Sequence, residues 1–104
     1  MPRNTTSTTM FHYVYVLQSL RDSQRYIGYT TNLKRRFQEH LTGLSFSTRP
    51  RRPLRLVYFE GCLNEQDAKR RERYLKTTQG RRFLGLRLLV YGRQYRTELS
   101  NSGS

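Results

Sequence analysis

Cysteine, acidic residues and long apolar runs are all scarce in this sequence of 104 residues. Cys62 is its single cysteine, which excludes an intrachain disulfide and a cysteine-rich metal site. No apolar run approaches the roughly 18 residues of a membrane span, and no apolar core typical of a signal peptide is present. These absences predict a soluble, intracellular protein without a membrane partner, and the length predicts one domain.

Negative charge is the most informative of these scarcities. Seven Asp and Glu stand against 20 Lys and Arg, which gives a formal net charge of +13 and a pI of about 10.9. Only Lys34, Lys69 and Lys76 are lysines, so 17 of the cations are arginines, whose planar fork suits bidentate contact with phosphate oxygens. The composition therefore predicts a polyanionic partner, nucleic acid ahead of a membrane surface, and a location in the cytoplasm or on the nucleoid.

The organisation along the chain is simple. Residues 1–10 and 92–104 are too polar to bury a face, so we expect both to be disordered around a working domain at 11–91. No repeat or second core interrupts this domain, which predicts that any function resides in a single small fold.

Three stretches carry the aromatic and β-branched residues typical of strands. "HYVYVLQS" (12–19) and "RYIGY" (25–29) flank a polar turn, which predicts a β-hairpin. "PLRLVYF" (53–59) predicts a third strand, because apolar residues alternate with others and proline stands only at its entry. The alternating apolar positions are Leu54, Leu56 and Tyr58.

A first helix follows the hairpin, and any of the three polar residues at 30–32 can cap its start. Apolar residues recur at four-residue steps from Leu33 to Leu41, which predicts an apolar stripe. At 100° per residue, Arg36 and His40 border that stripe instead of pointing away from it.

A second helix begins with Asn64 as its N-cap and has Ala68 and Leu75 on its apolar face. Glu72 lies between them, and a carboxylate in such a place needs a partner, a proton or a metal. Residues 80–91 predict a third helix. The expected fold is α+β: a small three-stranded antiparallel sheet flanked by about three helices.

Four features of the sequence occur in the order of a known family. Tyr13-Val14-Tyr15 comes first, "YIG" follows at 26–28, "LKRRFQEH" at 33–40 comes next, and Glu72 lies in the second helix. Residues 11–90 thereby resemble the GIY-YIG nucleases, most closely the small single-domain members related to the nuclease module of the repair excinuclease. Tyr13 replaces the first glycine of the family name, and no residue matches the asparagine that some members place after the glutamate.

The resemblance implies a metal-dependent endonuclease that hydrolyses DNA phosphodiester bonds, structure-directed or weakly sequence-specific, in DNA repair, recombination or processing. Glu72 is the only one of the seven acids predicted to face inward, which argues for one ion completed by water and substrate phosphate. Hard oxygen ligands favour Mg²⁺ or Mn²⁺. The resemblance assigns Glu72 the same role as metal ligand.

The other site residues also take their roles partly from the resemblance. Tyr15 is the candidate general base, and Tyr26 supports the water or phosphate or exchanges roles with it. Arg36 is expected to pair with the scissile phosphate, and His40 to orient or polarise the tyrosine hydroxyl or the water. Gly28 is expected to let the backbone approach substrate or helix closely.

Two other classes of function stay open. The first is a catalytically inactive, basic nucleic-acid-binding module of the same fold, in which the tyrosines are sheet aromatics and Glu72 pairs with a neighbour such as Arg71. The second is an RNA-binding or ribosome-associated protein, supported only by charge and aromatic content. In each reading, specificity comes from nucleic-acid shape or from a partner protein. The cations assigned to sequence-indifferent backbone binding are Arg49, Arg51, Arg52, Arg55, Arg81 and Arg82.

Overall fold

The computed structural model describes residues 10–102, and within them three strands form one antiparallel sheet in the order β2-β1-β3. Four α-helices in this range accompany the sheet, which confirms the predicted α+β class. In chain order the elements are β1 (His12–Ser19), β2 (Arg25–Thr30), α1 (Leu33–Thr42), a 3₁₀ turn (Arg49–Arg51), β3 (Leu54–Cys62), α2 (Glu65–Leu75), α3 (Thr78–Arg87) and α4 (Leu89–Ser102).

Strand β1 is the central strand, paired with a neighbour at each edge, and its residues from 14 to 19 are all buried. The pairing of β1 with β3 shifts at a β-bulge between Val16 and Leu17. Leu56 pairs with Leu17 whereas Tyr58 pairs with Val16, so these two β3 side chains point to opposite faces of the sheet. The expected alternation of β3 is therefore wrong beyond the bulge, which no residue pattern announces.

Helix α1 packs on the sheet face that carries Tyr15, Leu17 and Leu54. Asn32 is its N-cap and accepts a hydrogen bond from the Arg35 backbone N–H at 3.1 Å. The apolar stripe of α1 shortens to Leu33 and Phe37, which pack against that core face.

The predicted third residue of the stripe, Leu41, keeps 39% of its surface exposed, while His40 is completely buried. The predicted extension of the stripe to Leu41 was therefore wrong, because His40, predicted to border the stripe, occupies the inward position at this end of α1.

Helix α2 begins after Asn64, whose Oδ1 accepts a hydrogen bond from the Asp67 backbone N–H at 2.9 Å, as predicted. Ala68 is buried, and Arg71 donates from Nε to Glu60 on β3 at 2.9 Å. These contacts fix α2 beside the strand and thereby the position of Glu72.

The described chain divides into two compact units, one up to Glu72 and one from Arg73 onward. In the second unit, α3 begins at Thr78, and a Cβ at Gly80 would collide with the backbone of Tyr74 and Leu75. Gly80 is therefore needed for the close approach of α3 to the backbone at 74–75. The single helix expected at 80–91 is two helices, because α3 ends at Arg87 and α4 starts at Leu89.

The expected disordered tail at 92–104 was wrong for residues 92–102, because α4 continues through them. Tyr91 and Tyr95 lie one helical turn apart with stacked rings, and Tyr95 is buried, so the segment has an apolar contact that its polar composition conceals. Residues 1–9 of the predicted N-terminal extension lie outside the described residues, and the predicted boundaries at 11 and 91 stay a prediction.

Candidate active site

Tyr15 lies at the centre of β1, and only 2% of its surface is exposed. It is paired with Gly28 on β2 and with Phe59 on β3. A Cβ at Gly28 would fall on the Tyr15 hydroxyl and ring. Gly28 is thus a glycine because the Tyr15 side chain crosses it, which gives a more specific reason than the predicted approach of substrate or helix.

His40 extends from α1 to the Tyr15 hydroxyl. Its Nε2 lies 2.9 Å from the hydroxyl oxygen, and its Nδ1 lies 2.6 Å from Oγ1 of Thr48. All three side chains are buried. The imidazole therefore links the central strand of the sheet to the segment that follows α1.

His40 bonds both hydroxyls in either tautomer. With the proton on Nε2 the ring donates to Tyr15 and accepts from Thr48, and with the proton on Nδ1 it accepts from Tyr15 and donates to Thr48. A Tyr15 phenolate can only accept, so ionised Tyr15 requires the neutral ring to carry its proton on Nε2.

Arg36 lies one turn before His40 on α1 and is half-buried. Its Nη1 donates to Oε1 of Glu39 at 2.9 Å, and its Nη2 donates to Oγ of Ser45 at 3.3 Å. The neighbouring Lys34 and Arg35 are exposed, as their predicted orientation requires. Arg36 is thus held in place, unlike the two cations that precede it.

Burial dominates the pKa values at this site. It raises the pKa of the Tyr15 hydroxyl, an effect to which Tyr26 and Glu72 add and which Arg36 opposes. Burial and, to a smaller extent, the charge of Arg36 lower the pKa of His40 from 6.5 to about 4, while Glu39 acts in the opposite direction. His40 is therefore neutral at physiological pH. At Tyr15 the positive charge of Arg36 favours the phenolate, but burial outweighs it and the pKa is raised.

Tyr26 and Glu72 border the buried pair. The Tyr26 ring lies 5.4 Å from the His40 ring and 6.5 Å from the Tyr15 ring, measured between centroids. Glu72 is half-buried, and its charge acts on Tyr15 and on Lys69. The structure thus places all five predicted catalytic residues around one region of the sheet.

Comparison with known proteins identifies the family of this chain. Residues 11–84 match the GIY-YIG catalytic domain family. The chain belongs to the GIY-YIG family. It is 39% identical to a UPF0213 protein of Oceanobacillus iheyensis over 80% of this chain and 94% of that one. It is 42% identical to a UPF0213 protein of Clostridium perfringens over 62% of this chain and 70% of the other.

One solved structure is also similar to this GIY-YIG protein. It is a solution NMR structure of a UPF0213 protein from Bacillus halodurans, which is 36% identical and has a TM-score of 0.46. The match covers 72% of this chain and 82% of the other.

The donor set around Glu72 fits a single hard cation better than a many-ligand site. Within residues 10–102, no three His, Cys, Asp or Glu side chains gather as potential metal ligands. Glu60 accepts hydrogen bonds from Arg71 at 2.9 Å and from the Tyr58 hydroxyl at 2.8 Å, and Glu39 is engaged by Arg36. A half-buried carboxylate with water and phosphate oxygens is a donor set that Mg²⁺ accepts.

The predicted backbone-binding arginines fall into two groups. Arg49, Arg51 and Arg52 are exposed in the segment before β3, and Arg55 is exposed near the start of that strand. Arg51 also donates to Asp22 at 3.2 Å, so its charge is partly balanced. The second group is exposed on α3 in the second unit and consists of Arg81 and Arg82. None of the described helices is long and apolar enough to cross a membrane.

Three side chains at the site were not predicted from the sequence. Glu39 fixes Arg36, Ser45 contacts its other terminal nitrogen, and Thr48 holds His40. The three-residue spacing of Arg36 and Glu39 on a helix is a signal that identifies such a pair. Ser45 and Thr48 carry no comparable signal, because a buried hydroxyl in a loop looks like any polar loop residue.

Proposed function

We propose that this protein is a divalent-metal-dependent endonuclease that hydrolyses DNA phosphodiester bonds. The observation that carries the proposal is the buried Tyr15–His40 hydrogen bond at 2.9 Å, with Arg36 close enough to act on the hydroxyl. Burying polar groups is costly unless they are paired, and the residues around this pair are those of phosphodiester chemistry. A module that only binds DNA has no need of this arrangement.

Tyr15 acts as the base that takes a proton from the attacking water. A tyrosine can do so only as the phenolate, and the pKa of Tyr15 is raised by burial. The Nε2–H of His40 and the guanidinium of Arg36 both stabilise a negative oxygen at this position. The phenolate is therefore a minor species at neutral pH whose reactivity the site supports.

Arg36 binds the scissile phosphate and stabilises the charge that develops on its oxygens. Glu39 and Ser45 restrict the guanidinium to one orientation, so less reorganisation is needed when the transition state forms. Tyr26, whose ring packs beside His40, positions the water or the phosphate.

Glu72 binds one Mg²⁺ or Mn²⁺ ion. Such an ion, when bound, neutralises phosphoryl charge and stabilises the leaving oxygen. Glu72 is suited to this role because it is half-buried and its charge already acts on Tyr15.

The surrounding arginines bind the DNA backbone without regard to sequence. Arg49, Arg51 and Arg52 follow Thr48 directly in the chain, so they are attached to the same segment that holds His40. Backbone contacts carry no sequence information, so specificity comes from DNA shape or from a partner protein, in DNA repair, recombination or processing.

Nicking of supercoiled plasmid and cleavage of branched DNA, with Mg²⁺, Mn²⁺ or a chelator, test the proposal. Glu72→Gln is expected to abolish cleavage and to leave DNA binding intact or stronger, because one negative charge beside phosphate is removed. Glu65→Gln is the matched control, since Glu65 is an exposed carboxylate on the same helix, paired with Lys69 at 2.9 Å. Undiminished cleavage by Glu72→Gln would refute the metal assignment.

The same assays separate the enzyme from an inactive binding module of this fold. Tight DNA binding without cleavage under any metal condition would support the module. Cleavage that requires the metal and Glu72 would support the enzyme, and RNA substrates run in parallel would test the third reading.

A further inference from the structure

The segment that joins α1 to the 3₁₀ turn buries two polar side chains, Ser45 and Thr48, and exposes two large apolar ones, Leu44 and Phe46. Ser45 and Thr48 keep only 5% and 0% of their surface exposed, whereas Leu44 and Phe46 keep 74% and 82%. Burial of one such apolar side chain contributes about 1.5–3 kcal/mol, so folding alone does not favour this pattern. We call residues 43–49 the tip segment.

The tip segment is held in one conformation. Gly43 adopts a left-handed conformation with φ of 85°, and the Leu44 backbone N–H donates to the Glu39 carbonyl at 2.9 Å. Arg49 donates from Nε to the Gly43 carbonyl at 2.9 Å and from its backbone to the Ser45 carbonyl at 3.0 Å. The exposed ring of Phe46 is therefore presented from a fixed backbone, which lowers the entropy lost when it binds a partner.

The same segment is attached to the candidate active site on both sides of Phe46. Ser45 accepts a hydrogen bond from Arg36, and Thr48 is bonded to His40. Adjacent Cα atoms are about 3.8 Å apart, so the Phe46 backbone lies one residue from a side chain that contacts Arg36. This adjacency in the chain is the reason to place a nucleotide next to the phosphate at Arg36 against the Phe46 ring.

The chemistry around Phe46 fits an unpaired nucleobase. The Arg49 guanidinium lies 5.6 Å from the centre of the Phe46 ring, and two more arginines follow at 51 and 52. A flat apolar ring bordered by cations complements a base attached to an anionic strand. Stacking of a base on an aromatic side chain contributes about 1–3 kcal/mol and tolerates any sequence.

We propose that Phe46 stacks on an unpaired base beside the phosphate that Arg36 binds. The protein then prefers DNA that is unpaired at this position over continuous duplex, in which neighbouring bases cover both faces. The inference rests on the proposed function, because it requires DNA at the candidate active site.

Equilibrium binding in a chelator, with Glu72→Gln as the parent protein, tests the proposal without cleavage. Two duplexes of equal length are compared, one continuous and one with a short unpaired stretch. Adding Phe46→Ala is expected to weaken binding to the unpaired substrate at least about fivefold and to leave continuous duplex nearly unchanged. Leu63→Ala is the matched control, because Leu63 is 63% exposed outside the tip segment.

Phe46→Trp supplies a second measurement, because the chain contains no tryptophan. This variant is expected to retain the preference, and unpaired DNA is expected to quench its fluorescence more than continuous duplex does. An unchanged preference in Phe46→Ala, or an equal loss on both substrates, would overturn the stacking proposal and leave the nuclease proposal standing. Failure of the parent protein to bind either DNA would overturn both.

Discussion

Acidification is expected to destabilise the fold through His40. The pKa of His40 is lowered by burial to about 4 in the folded protein, against 6.5 when unfolded. Between these values the unfolded chain binds a proton that the folded chain does not, so stability falls as the pH drops through this window. The loss amounts to about 3 kcal/mol by pH 4, and the contribution is fully present above about pH 7. For a domain of this size, that loss lowers Tm by roughly 12–24 °C.

Urea unfolding measured from pH 7.5 to 4 tests this expectation, and the NMR titration of the imidazole reports the His40 pKa directly. The titratable and charged groups that face His40 are Tyr15, Tyr26, Arg36 and Glu39.

His40→Gln is expected to be less stable at pH 7 and to lose the slope between pH 6.5 and 4. His12→Gln is the control, because His12 is the other histidine of the chain and is bonded to Tyr29 at 2.8 Å. A stability profile that is flat in the unsubstituted protein, or a slope that persists in His40→Gln, would refute the assigned burial.

Three further substitutions test the chemistry. Tyr15→Phe is expected to remain folded and to lose cleavage. The cleavage rate of the unsubstituted enzyme is expected to rise with pH without levelling off below about pH 10. Equal losses of Tm and activity in Tyr15→Phe would indicate that Tyr15 is only a core aromatic residue. Thr48→Val removes the hydroxyl that fixes His40, so kcat is expected to fall more than DNA affinity and Thr48→Ser to restore it. Arg36→Ala is expected to lower turnover at saturating DNA on the order of 10²-fold, and Arg36→Lys is expected to restore DNA binding but not the cleavage rate. Lys34→Ala is expected to change DNA affinity alone. Equal effects of the alanine substitutions at positions 34 and 36 would favour the inactive binding module.

The elements of the fold were predictable where local chemistry determines them. β1 at 12–19, the Asn64 cap and the buried Ala68 follow from β-propensity, capping and helical periodicity, each of which acts over a few neighbouring residues. The bulge opposite Val16 and Leu17 was not predictable, because the register depends on how two distant strands fit together.

The family was predictable from the sequence, and the geometry of the candidate site was not. The ordered set of Tyr15, Tyr26, Arg36, His40 and Glu72 identified the family, because the spacing of these residues is specific as a set. Nothing in that order shows that burial outweighs positive charge at Tyr15, since desolvation depends on the surrounding packing.

The hydroxyl at 48 was missed for a related reason. A threonine in an arginine-rich loop is predicted to be an exposed turn residue. Only the three-dimensional path of the chain brings Thr48 to His40. The exposure of Phe46, which keeps 82% of its surface accessible, also depends on this path and has no signal in the sequence.

The tip segment joins substrate recognition to catalysis by a short covalent path. Ser45 and Thr48 contact Arg36 and His40, and Phe46 lies between them in the chain. The Arg49 backbone N–H also bonds the Ser45 carbonyl at 3.0 Å, so residues 45–49 form one hydrogen-bonded turn. A base that stacks on Phe46 therefore restrains the same turn that orients the guanidinium and the imidazole. Binding of an unpaired base and alignment of the catalytic side chains are thus expected to reinforce each other. Each lowers the conformational entropy of the turn and so reduces the entropy that the other has to remove.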